Sequence, residues 1–343
     1  MVLPILASVA GKEIGQEEAV ILKKMQPVGV SLFSRNIADK KQLKNLIYQI
    51  KEVLGEKALI AVDQEGGRVR RLAEPCWHSY ASQSVLGQLP LKVCKMHAAL
   101  IAKDLNELGI NLNYAPVLDN LYECTHPVLK SRCFGCDVAK YGRAMIETYI
   151  NNGICPCIKH LPGHGRVKSD PHLGLPVVKV CDSELAKDME PFAKNADSPA
   201  GMTAHIVVPQ VDDLPITMSK KGIDLLIRGK IGFDGLLISD AIDMQALKGS
   251  IKDRTTKSLE AGCDVVCYCG GDIKDLYDLA SIKFELSAKT GERLERIYKI
   301  IDEKQKDFFE YDDYAKEVEA VEEYKEEYDA TEVLNLMKKN QQK

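Results

Sequence analysis

The sequence predicts an α/β fold, a TIM (β/α)8 barrel in which eight parallel strands alternate with helices. Short apolar runs recur eight times, helical-period stretches separate them, and charged or imidazole side chains follow most of the runs. Continuous apolar runs are typical of parallel strands that are buried on both faces. An open doubly wound sheet is the alternative, but no Gly-x-Gly-x-x-Gly turn follows the first run.

The predicted strands are short and mostly apolar. In chain order they are Pro4–Ala10, Gly29–Phe33, Ala58–Asp63, Ile110–Ala115, Ile154–Lys159, Gly201–His205, Gly235–Asp240 and Asp264–Cys269. The stretches between them carry apolar residues at helical spacing. The predicted helices are Glu17–Met25, Lys40–Leu54, Pro90–Leu108, Ala139–Asn152, Ser183–Lys194, Lys220–Arg228, Lys252–Ala261 and, approximately, Asp272–Leu279.

Beyond Arg293 the sequence changes character. Residues 310 to 328 are crowded with Glu, Asp and Tyr and contain no strand-like run, so we expect helices that pack outside the barrel or extend from it. A solvated acidic helix is the simplest interpretation, and a partner-binding tail is the alternative. The predicted division is a barrel domain over residues 1–300 and an acidic helical extension over residues 301–343.

The composition indicates which partners and which cellular compartment to expect. The chain of 343 residues has 46 basic and 50 acidic residues, so its net charge of −4 lacks the basic surplus of a protein that coats nucleic acid or membranes. The 11 cysteines do not form a short, Cys-dense disulfide scaffold, which indicates reduced thiols. Residues 1–10 are apolar but lack the basic start of a signal peptide. We expect a cytoplasmic monomer without membrane or nucleic-acid partners.

Polar side chains follow the predicted strands, at the face where a barrel carries its chemistry. They are Ser34–Asn36 after the second strand, Asp63–Arg68 at the third, Asp119 after the fourth, Lys159–Gly165 at the fifth, His205 at the sixth and Asp240 at the seventh. In addition, Asp170 lies two residues before His172, where a carboxylate can orient an imidazole and raise its pKa for proton transfer. Asp240 is a candidate nucleophile or charge stabiliser.

Five motifs in this order resemble glycoside hydrolase family 3, and specifically its single-domain bacterial β-N-acetylglucosaminidases. They are Ala61–Arg71 (AVDQEGGRVRR), Lys159–Gly165 (KHLPGHG), Asp170–His172 (DPH), Met202–His205 (MTAH) and Ile238–Ala241 (ISDA). The resemblance covers residues 1–300 and implies a TIM barrel with a two-step retaining mechanism.

The resemblance also implies roles for individual residues. Asp240 matches the family's nucleophile, His172 its unusual histidine acid/base, and Asp170 the partner of that histidine. The positions that match contacts to the sugar are Asp63, Arg71, Arg132, Lys159 and His160. The implied reaction releases N-acetylglucosamine from cell-wall muropeptides during peptidoglycan recycling, and a phosphorylase that transfers the sugar to phosphate is the alternative.

The sequence departs from the family pattern at several positions. Pro171 separates Asp170 from His172 where Ser is frequent, and Arg166 and Lys168 make the same loop more basic. Asp243, three residues from the nucleophile, could raise the pKa of Asp240 if it points into the site. Arg166 and Lys168 extend a predicted basic rim that also contains Arg71, Arg132 and Lys159, which suits a polar or anionic sugar and, in a phosphorylase, phosphate.

Other polar residues are interpreted as structural. Glu65 is expected to be buried behind the Gly66–Gly67 turn and paired with a cation, while His164 and Asp119 shape loops, and His205 is equally a structural residue or a ligand contact. A zinc site is disfavoured, because the spacings within the two candidate sets are not those of metal ligands. The sets are Cys124, His126, Cys133 and Cys136, and His160, His164 and His172. We expect no cofactor, and neither a metal-dependent hydrolase nor a non-catalytic sugar-binding protein is favoured.

Overall fold

Eight short strands form one parallel sheet that closes into a barrel. The computed structural model describes residues 2–167, 175–302, 307–319 and 321. The strands are β1 (Leu3–Ala7), β2 (Pro27–Leu32), β3 (Leu59–Val62), β4 (Leu112–Asn113), β5 (Cys155–Leu161), β6 (Ala200–Thr203), β7 (Leu236–Ile238) and β8 (Val266–Cys267). Their order is β7-β6-β5-β4-β3-β2-β1-β8, and a parallel bridge between Ile238 and Val265 joins the two ends. The predicted TIM barrel is confirmed.

Helices surround the barrel at the predicted places. They are α1 (Gln16–Met25), α2 (Lys40–Leu54), α3 (Gln83–Leu86), α4 (Leu91–Leu108), α5 (Pro127–Lys130), α6 (Val138–Asn151), α7 (Asp182–Ala193), α8 (Lys220–Gly222, continued by a π-helix over Ile223–Lys230), α9 (Ile251–Ala261), α10 (Ile273–Ala280), α11 (Ala288–Ile301) and α12 (Tyr311–Glu319). Local side chains fix several starts, since Asp39 accepts the Gln42 N–H at α2 and Ser250 accepts the Asp253 N–H at α9.

Strand β4 is shorter than predicted because asparagine side chains take over part of its pairing. The Asn111 carboxamide oxygen accepts the Ile60 N–H at 2.8 Å. The Asn113 carboxamide accepts the Gln64 N–H at 3.0 Å and donates to the Gln64 carbonyl at 2.9 Å. These bonds satisfy backbone groups of Ile60 in β3 and of Gln64 just beyond it, which a longer β4 would otherwise pair. The apolar run therefore predicts the position of the strand but not its length.

Side chains alternate between two cores along the strands. In β1, Ile5 and Ala7 pack outward against the helices, whereas Leu6 points into the barrel. The inner core also contains Leu59, Leu112 and other residues near the starts of the strands. The barrel is therefore filled by side chains at its N-terminal end, and its open space lies at the other end.

Helix α11 fills the N-terminal end of the barrel, where the sequence predicted helices packed outside. Leu294 and Ile297 belong to the inner core. Asp264, just before β8, is buried and accepts from Arg293 Nη1 at 2.8 Å and from Thr290 Oγ1 at 2.8 Å. The amphipathic sequence of α11 is equally suited to a surface helix, which is why its position could not be predicted.

Helix α12 packs against α4 and buries Tyr314. Just before it, the Asp307 N–H donates to the Asn152 carboxamide oxygen at 2.9 Å. A helix in the acidic segment is as predicted, and it contacts the barrel. The boundary at residue 300 between a catalytic domain and an extension stays a prediction.

None of the helices in the described part of the chain combines the length and the apolar character that crossing a bilayer requires.

Candidate active site

A cavity of about 450 Å³ opens at the C-terminal ends of the strands. Six of the predicted site residues line it, and they are Asp63, Arg71, Arg132, Lys159, His160 and Asp240. The other two, Asp170 and His172, lie outside the described residues. Residues far apart in the sequence thus meet at one face because the ends of parallel strands converge there.

Asp63 is held between two cations at the end of β3. Its Oδ2 lies 3.0 Å from Arg71 Nη2 and its Oδ1 lies 2.9 Å from Lys159 Nζ. Burial disfavours the carboxylate, but the attraction of Lys159 and Arg71 is larger and lowers the pKa of Asp63 well below its ordinary value. Asp63 is therefore ionised at neutral pH, with its oxygens aligned by charged donors.

Glu65 forms a second ion pair with the same lysine. Its carboxylate accepts from Arg132 Nε and Nη2 at 2.9 and 2.8 Å, and its Oε1 lies 2.5 Å from Lys159 Nζ. Burial opposes ionisation, yet the two cations lower the pKa of Glu65. Glu65 is buried and paired with cations, as predicted. We call Asp63, Glu65, Arg71, Arg132 and Lys159 the charge cluster.

His160 is oriented by a carboxylate that the sequence interpretation assigned only to loop shape. Its Nδ1 lies 2.7 Å from Asp119 Oδ2, and its Nε2 lies 3.5 Å from Arg132 Nη2. Since Asp119 accepts, the proton is on Nδ1 and Nε2 is left to face Arg132 and the cavity. Asp119 also accepts the His164 backbone N–H at 2.7 Å, so it does shape the loop while it orients His160.

His164 was expected only to shape its loop, but it lines the cavity. Burial lowers its pKa to about 4, so its imidazole is neutral at physiological pH. Its ring lies 5.5 Å from that of His160. Its Nδ1 is buried and makes no hydrogen bond to any described residue, which leaves an acceptor or donor at the wall of the cavity.

Asp240 follows β7 and projects its carboxylate into the cavity. Its backbone N–H donates to Thr203 Oγ1 at 3.3 Å, and its Oδ1 accepts the Ala241 N–H at 2.7 Å. Burial would raise the pKa, but the His205 and His160 imidazoles and the Ala241 N–H lower the pKa of Asp240 overall. A partly buried carboxylate that stays ionised and faces a cavity is suited to act as a nucleophile or to stabilise a cation.

His205 contacts the backbone next to Asp240. Its Nδ1 lies 2.7 Å from Thr217 Oγ1 and its Nε2 lies 2.9 Å from the Ala241 carbonyl oxygen. Both ring nitrogens are thus engaged by the protein. Of the two interpretations left open by the sequence, the structure favours the structural one.

Asp243 does not produce a raised pKa at Asp240, because the pKa of Asp240 is lowered overall and Asp243 is not among the groups that chiefly set it. Its Oδ1 accepts the Cys269 N–H at 2.9 Å. Burial raises the pKa of Asp243 itself, against the attraction of Arg35. The pKa of Asp240 is lowered whereas the pKa of Asp243 is raised, so the two carboxylates have different surroundings although both line the cavity.

The predicted basic rim is largely neutralised by pairing. Arg166 Nε lies 3.0 and 2.9 Å from the two oxygens of Asp188, Arg166 Nη1 is 3.4 Å from Glu184, and the guanidinium covers the Tyr122 ring. The rim cations of the charge cluster are paired too, and Lys168 lies outside the described residues. Arg166 is therefore not a free cation for phosphate, which removes one of the two side chains invoked for a phosphorylase.

The described residues contain no group of three or more side chains that could hold a metal ion. In the cysteine-rich set, Cys133 is buried, Cys136 Sγ donates to the Gly87 carbonyl, and His126 Nδ1 accepts the Val128 N–H at the start of α5. These contacts serve local structure, so no described residue is assigned to a metal or cofactor.

Several residues that line the cavity were not predicted from the sequence. Phe33, Val69, Tyr114, Met202, Met244, Cys267 and Cys269 also line it. Phe33 lies under Arg35 and Arg71, at 4.9 and 5.7 Å from the ring centroid. From the sequence alone, an apolar residue at a strand end that lines a cavity cannot be distinguished from one in the core. Phe33 is the exception, because it directly precedes the polar residues Ser34–Asn36, which were predicted to lie at the site.

Comparison with known proteins places this site in a family. The profile described as "Glycosyl hydrolase family 3 N terminal domain" matches residues 5–300. The "Beta-hexosaminidase" of Bordetella avium (strain 197N) is 32% identical over 313 residues, which are 87% of this chain and 88% of that protein. NagZ from Neisseria gonorrhoeae has a similar structure, with 29% identity, a TM-score of 0.81 and coverage of 93% of this chain and 97% of that one.

A glycoside hydrolase family 3 β-N-acetylglucosaminidase from Paenibacillus sp. str. FPU-7 is similar over 92% of this chain and 66% of its own length, with 26% identity and a TM-score of 0.82. The predicted resemblance to glycoside hydrolase family 3 is thus confirmed. The chain belongs to glycosyl hydrolase family 3, and it is a glycoside hydrolase.

Proposed function

We propose that the protein is a retaining exo-β-N-acetylglucosaminidase that removes terminal N-acetylglucosamine from cell-wall muropeptides. The observation that carries the proposal is Asp240, an ionised and partly buried carboxylate in the same cavity as the charge cluster. The β-hexosaminidase and β-N-acetylglucosaminidase names of the relatives support the choice of sugar.

In the proposed first step, Asp240 attacks the anomeric carbon and displaces the aglycone. Oδ1 is held by the Ala241 N–H, so Oδ2, which has no hydrogen bond to a described residue, is the attacking oxygen. The bond between C1 and the glycosidic oxygen breaks, and the His172 imidazolium gives its proton to the leaving oxygen. The product of this step is a covalent glycosyl-Asp240 ester.

In the second step, a water molecule attacks C1 as neutral His172 takes its proton. Asp240 leaves as a carboxylate and His172 is an imidazolium again, so the enzyme is regenerated and the configuration at C1 is retained. Asp170 is proposed to orient His172 and favour its protonated form. The assignment of these two residues rests on the Asp170–His172 motif.

The charge cluster and His160 are proposed to bind the terminal sugar. Asp63 accepts hydrogen bonds, while Arg71, Arg132 and Lys159 donate them, and paired hydroxyls on adjacent sugar carbons can use both kinds of partner. A cavity of about 450 Å³ fits one terminal sugar better than an internal stretch of polymer. All 11 cysteines are free thiols, which supports a reducing compartment, and we propose the cytoplasm and peptidoglycan recycling as the setting.

The proposal is tested with 4-nitrophenyl N-acetyl-β-D-glucosaminide and with purified anhydro-muropeptide. We expect Asp240→Ala to lower kcat by a factor on the order of 10⁴ or more, since the step that forms the covalent intermediate is lost. Azide should rescue this variant partly and give the α-glycosyl azide. Asp212→Ala, at a partly solvated carboxylate bonded to Ser219, is the matched control.

Full activity of Asp240→Ala would contradict the mechanism, and activity on the β-glucoside but not on the N-acetyl sugar would contradict the substrate. Running the wild-type reaction with and without phosphate separates hydrolysis from phosphorolysis. Free N-acetylglucosamine in both conditions is expected of the hydrolase, whereas a sugar 1-phosphate would establish the phosphorylase.

A further inference from the structure

A chain of hydrogen bonds connects helix α12 with the turn that carries Glu65. The Ala81 N–H donates to Tyr314 Oη at 2.9 Å, and Tyr314 Oη lies 2.9 Å from His97 Nδ1. His97 Nε2 lies 3.1 Å from the Glu65 carbonyl oxygen. Tyr314 is 1% exposed and His97 is 0% exposed, so water does not compete for these groups.

The direction of each bond follows from the groups at its two ends. The Glu65 carbonyl can only accept, so the His97 proton is on Nε2 and Nδ1 is an acceptor. Tyr314 accepts from Ala81 and therefore has its own proton to donate to Nδ1. Burial lowers the pKa of His97 to about 4, which is consistent with this neutral form at physiological pH. Removal of the Tyr314 hydroxyl takes away the acceptor of the Ala81 N–H and the donor to His97 Nδ1.

The turn at the end of this chain holds the charge cluster in place. The Glu65 side chain accepts from Arg132 and contacts Lys159. The next residue, Gly66, has a φ of +101°, and a Cβ there would lie 2.8 Å from His97 Cε1 and 2.2 Å from the Ala81 oxygen. The turn, His97 and Ala81 are thus in direct contact, so a displacement of His97 reaches Glu65 without any intervening side chain.

Helix α12 is attached to the same region at a second point. Tyr311 Oη donates to the Ser79 carbonyl at 2.6 Å, and the Tyr311 ring stacks on His78 with centroids 3.8 Å apart. The Gly67 N–H donates to the Tyr80 carbonyl at 2.7 Å. Residues 78–82 are therefore held between α12 on one side and the turn that carries Glu65 on the other.

We propose that Tyr314 and His97 are positioning residues for sugar binding, and that α12 is an integral part of the substrate site. They act by fixing the Glu65 backbone, which places the Glu65 carboxylate and, through it, Arg132 and Lys159. The inference rests on the proposed function in that Arg132 and Lys159 are taken to bind the sugar.

This role predicts a specific kinetic signature. Arg132 and Lys159 contact parts of the sugar that do not react, so their misplacement weakens binding of the ground state and the transition state alike. Asp240 is held by different groups, Thr203 and Ala241, and keeps its geometry. A purely structural defect would instead lower the active fraction, which reduces the apparent kcat and leaves KM unchanged.

The test compares Tyr314→Phe with Tyr298→Phe in the full-length chain. Tyr298 is a partly buried tyrosine on α11, at the opposite end of the barrel, so the control removes the same hydroxyl far from the site. We expect Tyr314→Phe to raise KM for the 4-nitrophenyl substrate roughly threefold to tenfold, because Arg132 and Lys159 are displaced, with kcat within about twofold of wild type. Tyr298→Phe should leave both constants unchanged.

Two further variants and one spectroscopic signal complete the test. His97→Gln can still donate to the Glu65 carbonyl, so we expect its KM to lie closer to wild type than that of His97→Leu. Trp77 is the only tryptophan and lines a groove with Tyr311, so its unchanged emission in Tyr314→Phe verifies that α12 stays docked.

A KM for Tyr314→Phe equal to that of Tyr298→Phe, or a lower kcat at constant KM, would overturn the inference. If the wild-type protein does not hydrolyse the N-acetyl substrate, the proposed function fails instead, and the two failures are therefore distinguishable.

Discussion

Asp240 and Asp243 lie three residues apart and line the same cavity, yet their surroundings shift the two pKa values in opposite directions. Burial would raise both pKa values. At Asp240 the imidazoles of His205 and His160 and the Ala241 N–H outweigh burial, so the pKa falls. At Asp243 burial dominates and the pKa rises. Ionisation at this site is therefore decided by the partners of each residue, which a sequence separation of three residues cannot reveal.

This difference predicts the pH dependence of activity. Because the pKa of Asp240 is lowered, its carboxylate stays ionised as the pH falls to its ordinary value of 3.8 and below. We expect the acid limb of kcat/KM that belongs to Asp240 to lie below that value and to be unmoved in Asp243→Asn. Initial rates over a pH series, each after a stability check by pre-incubation, measure the limb. A downward shift of the limb in Asp243→Asn would mean that the two carboxylates interact after all.

At the scale of elements, the turn between β3 and α3 combines backbone geometry with substrate contacts. Gly66 has a left-handed φ of +101° and lies against Ala81 and His97. The backbone N–H groups of Glu65 and Gly66 both donate to the Val69 carbonyl, and these two hydrogen bonds close the turn. Because Asp63, Glu65 and Arg71 are all fixed by this short segment, its backbone shape decides the geometry of the charge cluster.

Two glycine variants separate backbone strain from steric overlap. Gly55 also has a left-handed φ, +94°, but a Cβ there meets no atom within 4 Å. We expect Gly55→Ala to lower the free energy of unfolding by about 1 to 2 kcal/mol through φ alone. Gly66→Ala adds overlap with the Ala81 carbonyl, for a total of about 3 kcal/mol or more, and lowers kcat/KM as well. Guanidinium unfolding curves and initial rates test this, and equal losses in the two variants would refute it.

At the scale of the whole molecule, one end of the barrel is filled by core packing and the other end carries the candidate active site. Helix α11 fills the N-terminal end with Leu294 and Ile297, while the cavity and the charge cluster occupy the C-terminal end. Stability and activity can therefore be perturbed separately by substitutions at opposite ends.

We expect Ile297→Ala to lower the free energy of unfolding by about 2 to 5 kcal/mol, because the side chain is 0% exposed and leaves a cavity. Its KM should equal that of wild type at a temperature where the variant is folded. Leu225→Ala, at a side chain that is 43% exposed, is the control and should change stability by less than about 0.5 kcal/mol. A raised KM in Ile297→Ala would show that the two ends are coupled.

The fold and much of the site could be predicted because both depend on local patterns. Buried parallel strands read as apolar runs, so all eight lie close to their predicted positions, and the polar residues after them converge as expected. The lengths of β4 and β8 could not be predicted, since Asn111, Asn113 and Ser239 side chains replace backbone pairing there. Nor could the orientation of His160 by Asp119, because it depends on a contact between residues 41 positions apart.

The pairing of every cation in the charge cluster has a consequence for the energetics of turnover. The desolvation of Arg71, Arg132 and Lys159 occurs once, when the chain folds, because their carboxylate partners are already in place. A sugar that enters meets donors and acceptors that need little reorganisation, so its binding energy is available to orient C1 toward Asp240. Because the three cations share only two carboxylates, pairing reduces their attraction for anions without cancelling it, and we expect cellular phosphates to compete with the sugar only weakly.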